Sequence, residues 1–291
     1  MSITIAIPFF NAENYLVDAI KSVFAQTHSQ WELLLINDGS TDNSLKIAEN
    51  ISDSRVRVIS DGFNKGLASR LNEVASFAKY DVIARMDADD LMCPSRLEMQ
   101  LSILNSNENI DLVTCGCVSI TNESIFKGVR HHSSNTIDFS TLLNKKGFGI
   151  LHAGIIVRKK WLERNSYNTE LKTSQDYELW VRASANNDLN IHLLKEPLYY
   201  YRDEGNITPG KLFRAYKTER IVFRKYAKEN KIPLLLKSYV KTAVVKVLAL
   251  INKTDLLLLS RDNSPIANNN DKEVYEKKLS IILKTSMPTK P

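Results

Sequence analysis

Three carboxylates fall within four residues at Asp87-Ala88-Asp89-Asp90, directly after the run Val82-Ile83-Ala84-Arg85-Met86. Like charges packed this closely disfavour one another's ionisation unless a cation or solvent relieves them. Carboxylate oxygens are hard donors, suited to Mg2+ or Mn2+, ions that keep coordination sites for water and phosphate. An apolar strand that ends in carboxylates, in an α/β chain, marks a ligand crevice. Two readings follow: a metal–diphosphate site, or a solvated acidic turn with a helix N-cap, since Pro94 and a helical polar–apolar pattern come next.

The elements that must position this stretch are legible upstream. Ile3 to Phe10 is an apolar strand, and residues 12–26 repeat their apolar positions with a helical period. Glu32 to Ile36, with its unbroken Leu-Leu-Leu-Ile run, suits a strand buried on both faces. It stops at Asn37-Asp38-Gly39-Ser40-Thr41-Asp42, a turn into a helix with Ser40 or Thr41 as cap. Arg55 to Ser60 reads as a third strand, Gly62 and Gly66 flank a loop, residues 67–79 read as a helix and Val82 to Met86 as a fourth strand. This alternation predicts a parallel α/β sheet.

Downstream, residues 94–105 read as helix, Asp111 to Ile120 as strand, Ile155 to Val157 as a short strand, Tyr177 to Ala185 as helix and Pro197 to Arg202 as an aromatic strand. Residues 121–150 give no clear pattern. From Pro209 the chain reads as helical with a break at Pro233, and the last 30 or so residues are polar enough to be partly mobile.

A hydrophobic content of 43% supports a substantial core, and 25% charged residues is ordinary for a soluble protein. Residues 1–204 carry 21 Lys+Arg against 26 Asp+Glu, whereas residues 205–291 carry 18 against 7. That asymmetry marks a boundary near Gly205 and an anionic partner for the C-terminal part. Cys93, Cys115 and Cys117 lack the spacing of a disulfide framework or a zinc pair and read as reduced thiols. The N-terminus has no basic leader and enters a strand at once, so a cytoplasmic location is expected. No Gly-x-Gly-x-x-Gly follows the first strand and no Walker sequence is present.

Seven stretches share an order and spacing: Ile5-Ala6-Ile7-Pro8-Phe9-Phe10-Asn11; Gln26-Thr27; Trp31-Glu32-Leu33 leading to Asn37-Asp38-Gly39-Ser40-Thr41-Asp42; Asn64-Lys65-Gly66-Leu67-Ala68; Ala84-Arg85-Met86-Asp87-Ala88-Asp89-Asp90; Pro94-Ser95-Arg96-Leu97-Glu98; and Gln175-Asp176-Tyr177-Glu178-Leu179-Trp180. Together they resemble a family 2 glycosyltransferase with the GT-A fold, of the kind that builds bacterial O-antigen or capsule. The resemblance covers residues 3 to about 203. It implies a Rossmann-like mixed sheet flanked by helices, with a mainly helical C-terminal extension. The catalytic domain is expected over residues 1–204, with about 1–110 holding the nucleotide-sugar and 111–204 the acceptor side, and a basic helical extension over 205–291.

The resemblance also implies inverting transfer of one hexosyl residue from a UDP-sugar, with Mn2+ or Mg2+ neutralising the departing diphosphate. Asp89 is then the first choice of metal ligand and Asp90 the second, while Asp87 binds the donor ribose or orients the metal shell, beside Ala88. Asp38 matches the base-reading aspartate, whose carboxylate accepts the uracil N3–H; a turn or helix cap is its alternative. The Pro8-Phe9 backbone, with Phe9 or Phe10 against the base, completes the pocket with Asn11, Asn64, Lys65 and Gly66. Glu13 either touches the ribose or lies on a helix surface.

Asp176 matches the general base that removes the acceptor hydroxyl proton, worth ~10²–10⁴-fold when well placed; a helix N-cap is its alternative. His152, Trp180, Tyr201 and Arg202 are assigned to the acceptor or diphosphate, with a buried structural role as the alternative for His152. One departure stands out. Relatives place an Arg one position later than Arg70, so Arg70 is rotated by about 100° and Arg85 becomes a substitute near the nucleotide.

Residues 211–231 hold eight Lys/Arg among apolar side chains, and 234–259 are apolar but interrupted by lysines, too often for a bilayer span. Residues 209–260 suit an anionic membrane surface, or else a helical layer with a solvated basic face. No nucleic-acid recognition fold accompanies the charge. The reading by analogy is a protein peripheral on the inner face of the cell membrane, acting on a polyprenyl-diphosphate-linked glycan. The alternatives are a sugar nucleotidyltransferase, which the absence of a Gly-rich basic first loop disfavours, and a non-catalytic scaffold that binds sugar nucleotide.

Overall fold

Strands β1 (Ile3–Phe9), β2 (Trp31–Asn37) and β4 (Val82–Arg85) are buried at every position. A parallel sheet covered on both faces demands this, and it explains why these segments are unbroken apolar runs rather than alternating ones. The structure, a computed structural model, describes residues 1–145, 149–204, 208–253 and 269–290. With β3 (Val56–Ser60), β5 (Leu91–Met92), β6 (Leu112–Ile120), β7 (Phe126–Arg130), β8 (Ile156–Arg158) and β9 (Ile191–Arg202), they form one sheet in the order β3-β2-β1-β4-β8-β6-β9-β5, β7 pairing with β6. The β3-β2-β1-β4 part is parallel, β8 is antiparallel to β4 and β6, and β9 is parallel to β6. The sheet is thus mixed, as the resemblance implies.

Two apolar layers cover it. Helices α1 (Leu16–Phe24) and α4 (Arg96–Ser106) bury Leu16, Ile20, Leu97 and Leu104 on one face. Helices α3 (Leu67–Phe77), α6 (Lys159–Arg164), α7 (Gln175–Ala185) and α8 (Pro209–Tyr226) bury Leu71, Trp161, Leu179 and Phe223 on the other. Short helices α2 (Ser44–Glu49) and α5 (Phe139–Asn144) complete the connections.

Several expectations change. Residues 121–150, which show no clear pattern, contain β7 and α5. β9 starts at Ile191, six residues before the expected strand, because Pro197 disguises its continuity. Pro197 stands opposite Gly116, where the β6–β9 register shifts. A Cβ on Gly116 would meet the Arg130 and Lys195 carbonyl oxygens at 2.6 and 2.8 Å, so only glycine fits between the flanking strands. Pro233 does not break a helix either. It lies in the first turn of α9 (Lys231–Leu250), where its missing N–H goes unmissed.

The polar C-terminus is not a loose tail over residues 269–290. Helix α10 (Asn269–Lys284) seats Leu279 and Ile282 in the core layer beside α1. Tyr200 Oη donates to the Tyr275 carbonyl at 2.8 Å, and Ile51 bridges to Thr289. The expected boundary at Gly205, the apolar run at Leu256–Leu259 and Asn268 lie outside the described residues.

Candidate active site

The chain runs outward from β1 to β3 and then returns to place β4 on the other side of β1. In an open α/β sheet that reversal leaves a crevice at the carboxyl ends of the strands. Asn11, Asp38 and the Asp87–Asp90 turn all follow strands that end there.

At the end of β2, Asp38 is buried and accepts from the Lys65 amide at 2.8 Å, the Gly66 amide at 3.0 Å and Arg70 Nε at 2.9 Å. Its own amide donates to the Phe9 carbonyl at 2.8 Å. Arg70 therefore reaches the Asp38 carboxylate despite its rotated position on the helix. Its guanidinium also meets Asp61, Glu73 and the Phe63 carbonyl. Lys65 contributes its backbone only, since its ammonium is tied to Asp61 and Glu73 at 2.7 Å. Phe9 and Pro8 are buried in the strand, whereas the Phe10 ring is half-exposed. Asn11 Oδ1 accepts from the Thr41 amide at 2.8 Å, and Glu13 Oε2 accepts from the Asn43 amide at 3.0 Å, so both brace the turn after β2. Asn64 is exposed at the rim.

The acid turn is divided by environment. Asp87 is gripped by both terminal guanidinium nitrogens of Arg85, and its amide donates to Tyr199 Oη at 3.1 Å. Arg85 is itself buried, and its charge is paired with Asp87 rather than open to solvent. Ala88 is buried beneath the turn. Asp89 is exposed, yet crowding by protein and the Asp87 charge push its carboxyl up. Asp90 is buried, and burial, with Asp89 and Asp87 adding to it, pushes its carboxyl well up. Its Oδ1 accepts from the Arg202 amide at 2.8 Å while Oδ2 has no partner among the described residues. One carboxylate oxygen from each Asp lies within 4.8 Å of the others. An oxygen-only donor set, one buried oxygen without a partner and carboxyls that resist ionisation fit a hard divalent cation.

A cleft of about 650 Å³ joins Asp87 and Arg85 to Asp176, His152, Arg130 and Tyr201. Asp176 stands in the first turn of α7, where Ser174 occupies the cap position in a left-handed conformation. Asp176 is not the cap, and it has no hydrogen-bond partner among the described residues. His152 lines the same wall from a short 3-10 turn, its Nε2 paired with Tyr167 Oη at 2.8 Å. Burial, with Arg85 nearby, holds its imidazole well below the ordinary range, so it is neutral.

Two assignments need correction. Trp180 is 3% exposed, stacks on Trp161 and lies behind His152, in the core rather than on the cleft wall. Arg202 is buried beside Tyr15 and reaches the site through its backbone amide on Asp90. Sequence spacing missed Tyr199 and Tyr167, whose hydroxyls fix the Asp87 amide and His152. The Tyr199-Tyr200-Tyr201 run was visible, but not which rings turn inward. The thiols of Cys115 and Cys117 are buried and pushed up to about 12, consistent with inert packing.

The mixed sheet, its switch-point crevice and the acid-ended strand are the architecture of the GT-A fold. A profile of the family described as "Glycosyl transferase family 2" matches residues 4–165, and the chain belongs to that family. It is 28% identical over 250 residues to EpsE of Bacillus subtilis (strain 168), spanning 84% of this chain and 88% of EpsE. It is 31% identical over 189 residues to the Escherichia coli UDP-Glc:alpha-D-GlcNAc-diphosphoundecaprenol beta-1,3-glucosyltransferase WfgD, spanning 65% of this chain and 72% of WfgD. The crystal structure of S. aureus TarS 1-349 in complex with UDP shares the fold with a TM-score of 0.62 at 16% identity, over 98% of this chain and 81% of that chain.

Proposed function

We propose that the protein transfers a single hexosyl residue from a UDP-sugar to a polyprenyl-diphosphate-linked glycan, with inversion, in O-antigen or capsule assembly at the inner face of the cell membrane. The observation that carries this is the Asp176 carboxylate, without a hydrogen-bond partner among the described residues, in the same cleft as Asp87. The acceptor hydroxyl oxygen attacks C1 of the donor, its proton passes to Asp176, and the bond from C1 to the diphosphate oxygen breaks. Neutral His152 does not compete as a cation and serves to shape the acceptor wall. Asp89 and Asp90 would hold Mn2+ or Mg2+, which supplies charge neutralisation for the diphosphate. The named activity of WfgD supports the UDP-sugar donor and the lipid-linked acceptor.

The test is UDP release across UDP-sugars, with Mn2+, Mg2+ or EDTA, with and without a lipid-diphosphate sugar acceptor. Acceptor- and metal-dependent release that falls ~10²–10⁴-fold in Asp176→Asn, with UDP binding intact, is the expected result. Full activity in that variant would remove Asp176 from the reaction. UDP binding without turnover on any acceptor would favour a non-catalytic scaffold.

A further inference from the structure

Helix α9 turns an apolar stripe away from the protein. Ile232, Leu236, Val240, Val244, Val247 and Leu250 are 78%, 63%, 54%, 48%, 54% and 84% exposed. They recur at steps of four and three, so they share one face. The opposite face buries Leu234, Ser238 and Val245, and Ser238 meets α8 through Arg220 and the Tyr216 carbonyl. An open groove of about 460 Å³, lined by Tyr216, Pro233, Leu236, Val240 and Val244, runs along the stripe.

The charges around the stripe are of one sign. α9 contains no Asp or Glu. At about 100° per residue, Lys237 falls on one edge of the stripe and Lys246 on the other. Residues 208–253 hold twelve Lys/Arg and two Glu. One of the two, Glu219, is buried and occupied by Lys241 at 3.1 Å. No helix of the described residues is long and apolar enough to cross a membrane.

We infer that the exposed face of α9 lies on an anionic lipid surface, its aliphatic stripe seated at the acyl boundary and Lys237 and Lys246 reaching the headgroups. This rests on the proposed lipid-linked acceptor and names the surface that brings the enzyme to it. Apolar seating with lysines on both edges is the pattern of an interfacial helix. A second copy is a poor occupant, because two such faces would bring lysines together with no acid between them. The geometry also links the surface to the cleft. α8 lies between α9 and α7, with Thr218 Oγ1 donating to the Thr173 carbonyl at 3.0 Å and Tyr226 Oη donating to Glu178 at 3.0 Å. A docked α9 therefore holds the α7 start, and with it Asp176, at a fixed height over the lipid.

The experiment is flotation of the full chain with phosphatidylglycerol-containing vesicles and with pure phosphatidylcholine vesicles, at low and high salt. Two variants are compared, Val240→Glu/Val244→Glu and Lys237→Glu/Lys246→Glu, both checked for unchanged UDP affinity and unfolding temperature. Binding is expected to be about tenfold stronger to anionic vesicles, to weaken with salt, and to fall at least about tenfold in each variant. Equal binding of the wild type and both variants overturns the inference. So does a wild-type dimer in light scattering that Val240→Glu/Val244→Glu turns into monomer, which would give the face to a second copy. Turnover of a water-soluble acceptor analogue separates this from the proposed reaction: it should be the same in both variants, whatever the vesicles show.

Discussion

Arg70 Nε donates to Asp38 Oδ1 at 2.9 Å, and both side chains are almost completely buried. The link ties the helix after the glycine loop to the carboxylate under the proposed base pocket. Its guanidinium also forks onto Asp61, so one side chain clamps two loops. Arg70→Ala should leave buried acid uncompensated, a change that costs about 3–5 kcal/mol. The expected result is a fall of several degrees in Tm together with loss of UDP affinity by calorimetry. Arg70→Lys should recover little, because an ammonium cannot reproduce the fork. An unaltered Tm in Arg70→Ala would show that the amides of Lys65 and Gly66 suffice for Asp38.

Gly39 and Gly66 both adopt positive φ, +72° and +83°, yet they should respond differently to alanine. A Cβ on Gly39 would sit 2.8 Å from the Asn64 amide nitrogen, whereas one on Gly66 would meet nothing within 4 Å. Gly66 lies at φ +83°, ψ +155°, a region that essentially only glycine occupies, so Gly66→Ala carries backbone strain of about 1–3 kcal/mol but no clash. Gly39→Ala adds a backbone clash that pushes away the loop holding Asp38. Thermal unfolding and UDP titration on both variants should rank Gly39→Ala as the worse by each readout. Equal losses would mean that the two loops can separate freely.

Strands β1, β2 and β4 are legible because they are buried on both faces and their burial is written as continuous apolar runs. The acid turn was legible for the opposite reason, as charge where a strand should end. β7, α5 and the first half of β9 were not, since each is short, half-exposed or interrupted by Pro197. Arg70 reaches Asp38 because a rotation about the helix says where Cα points, not where a long guanidinium reaches. Asp176 and Trp180 are four residues apart and so share one side of α7, but at different depths that spacing alone does not reveal. Depth comes from Trp161 and His152, which lie remote in sequence and leave no local trace.

His152 should give the protein a mild acid sensitivity. In the unfolded chain its imidazole takes a proton near 6.5, while burial holds the folded value well below that. Between the two, the unfolded state binds more protons, so stability rises with pH. The contribution is fully present above about pH 6.5 and is lost as pH falls toward the folded value. His152→Gln has no proton to gain and can still accept from Tyr167, so its Tm should vary less between pH 5 and pH 6.5 than that of the wild type. Parallel Tm curves for the two proteins would assign the slope to other groups.

Ile282 is fully buried in the layer beside α1, although it belongs to a segment whose polar composition suggests mobility. Ile282→Ala should cost about 2–5 kcal/mol, the range for deleting a large core side chain. Ile281→Ala, at a site 50% exposed, should cost little. Chemical denaturation of the pair tests whether α10 is part of the cooperative unit; equal midpoints would mean that it detaches before the sheet unfolds.

Asp89 and Asp90 are adjacent but should fail in different ways. Burial and the neighbouring carboxylates raise Asp90 well above its ordinary value, so its ionised form weakens the metal-free protein at neutral pH. Asp90→Asn removes that charge and should raise the metal-free Tm, or leave it unchanged if the Arg202 amide loses a good acceptor. Asp89 is exposed, so Asp89→Asn should leave the metal-free Tm almost unaltered. With UDP and Mn2+ present the order reverses. Wild type should gain several degrees by linkage, and Asp89→Asn should gain only what UDP alone provides. Metal binding requires ionised carboxylates, so the Mn2+-dependent gain should also grow from pH 5 to pH 7. An undiminished Mn2+ effect in Asp89→Asn would move the first ligand to Asp90 or Asp87, whose oxygens lie in the same cluster.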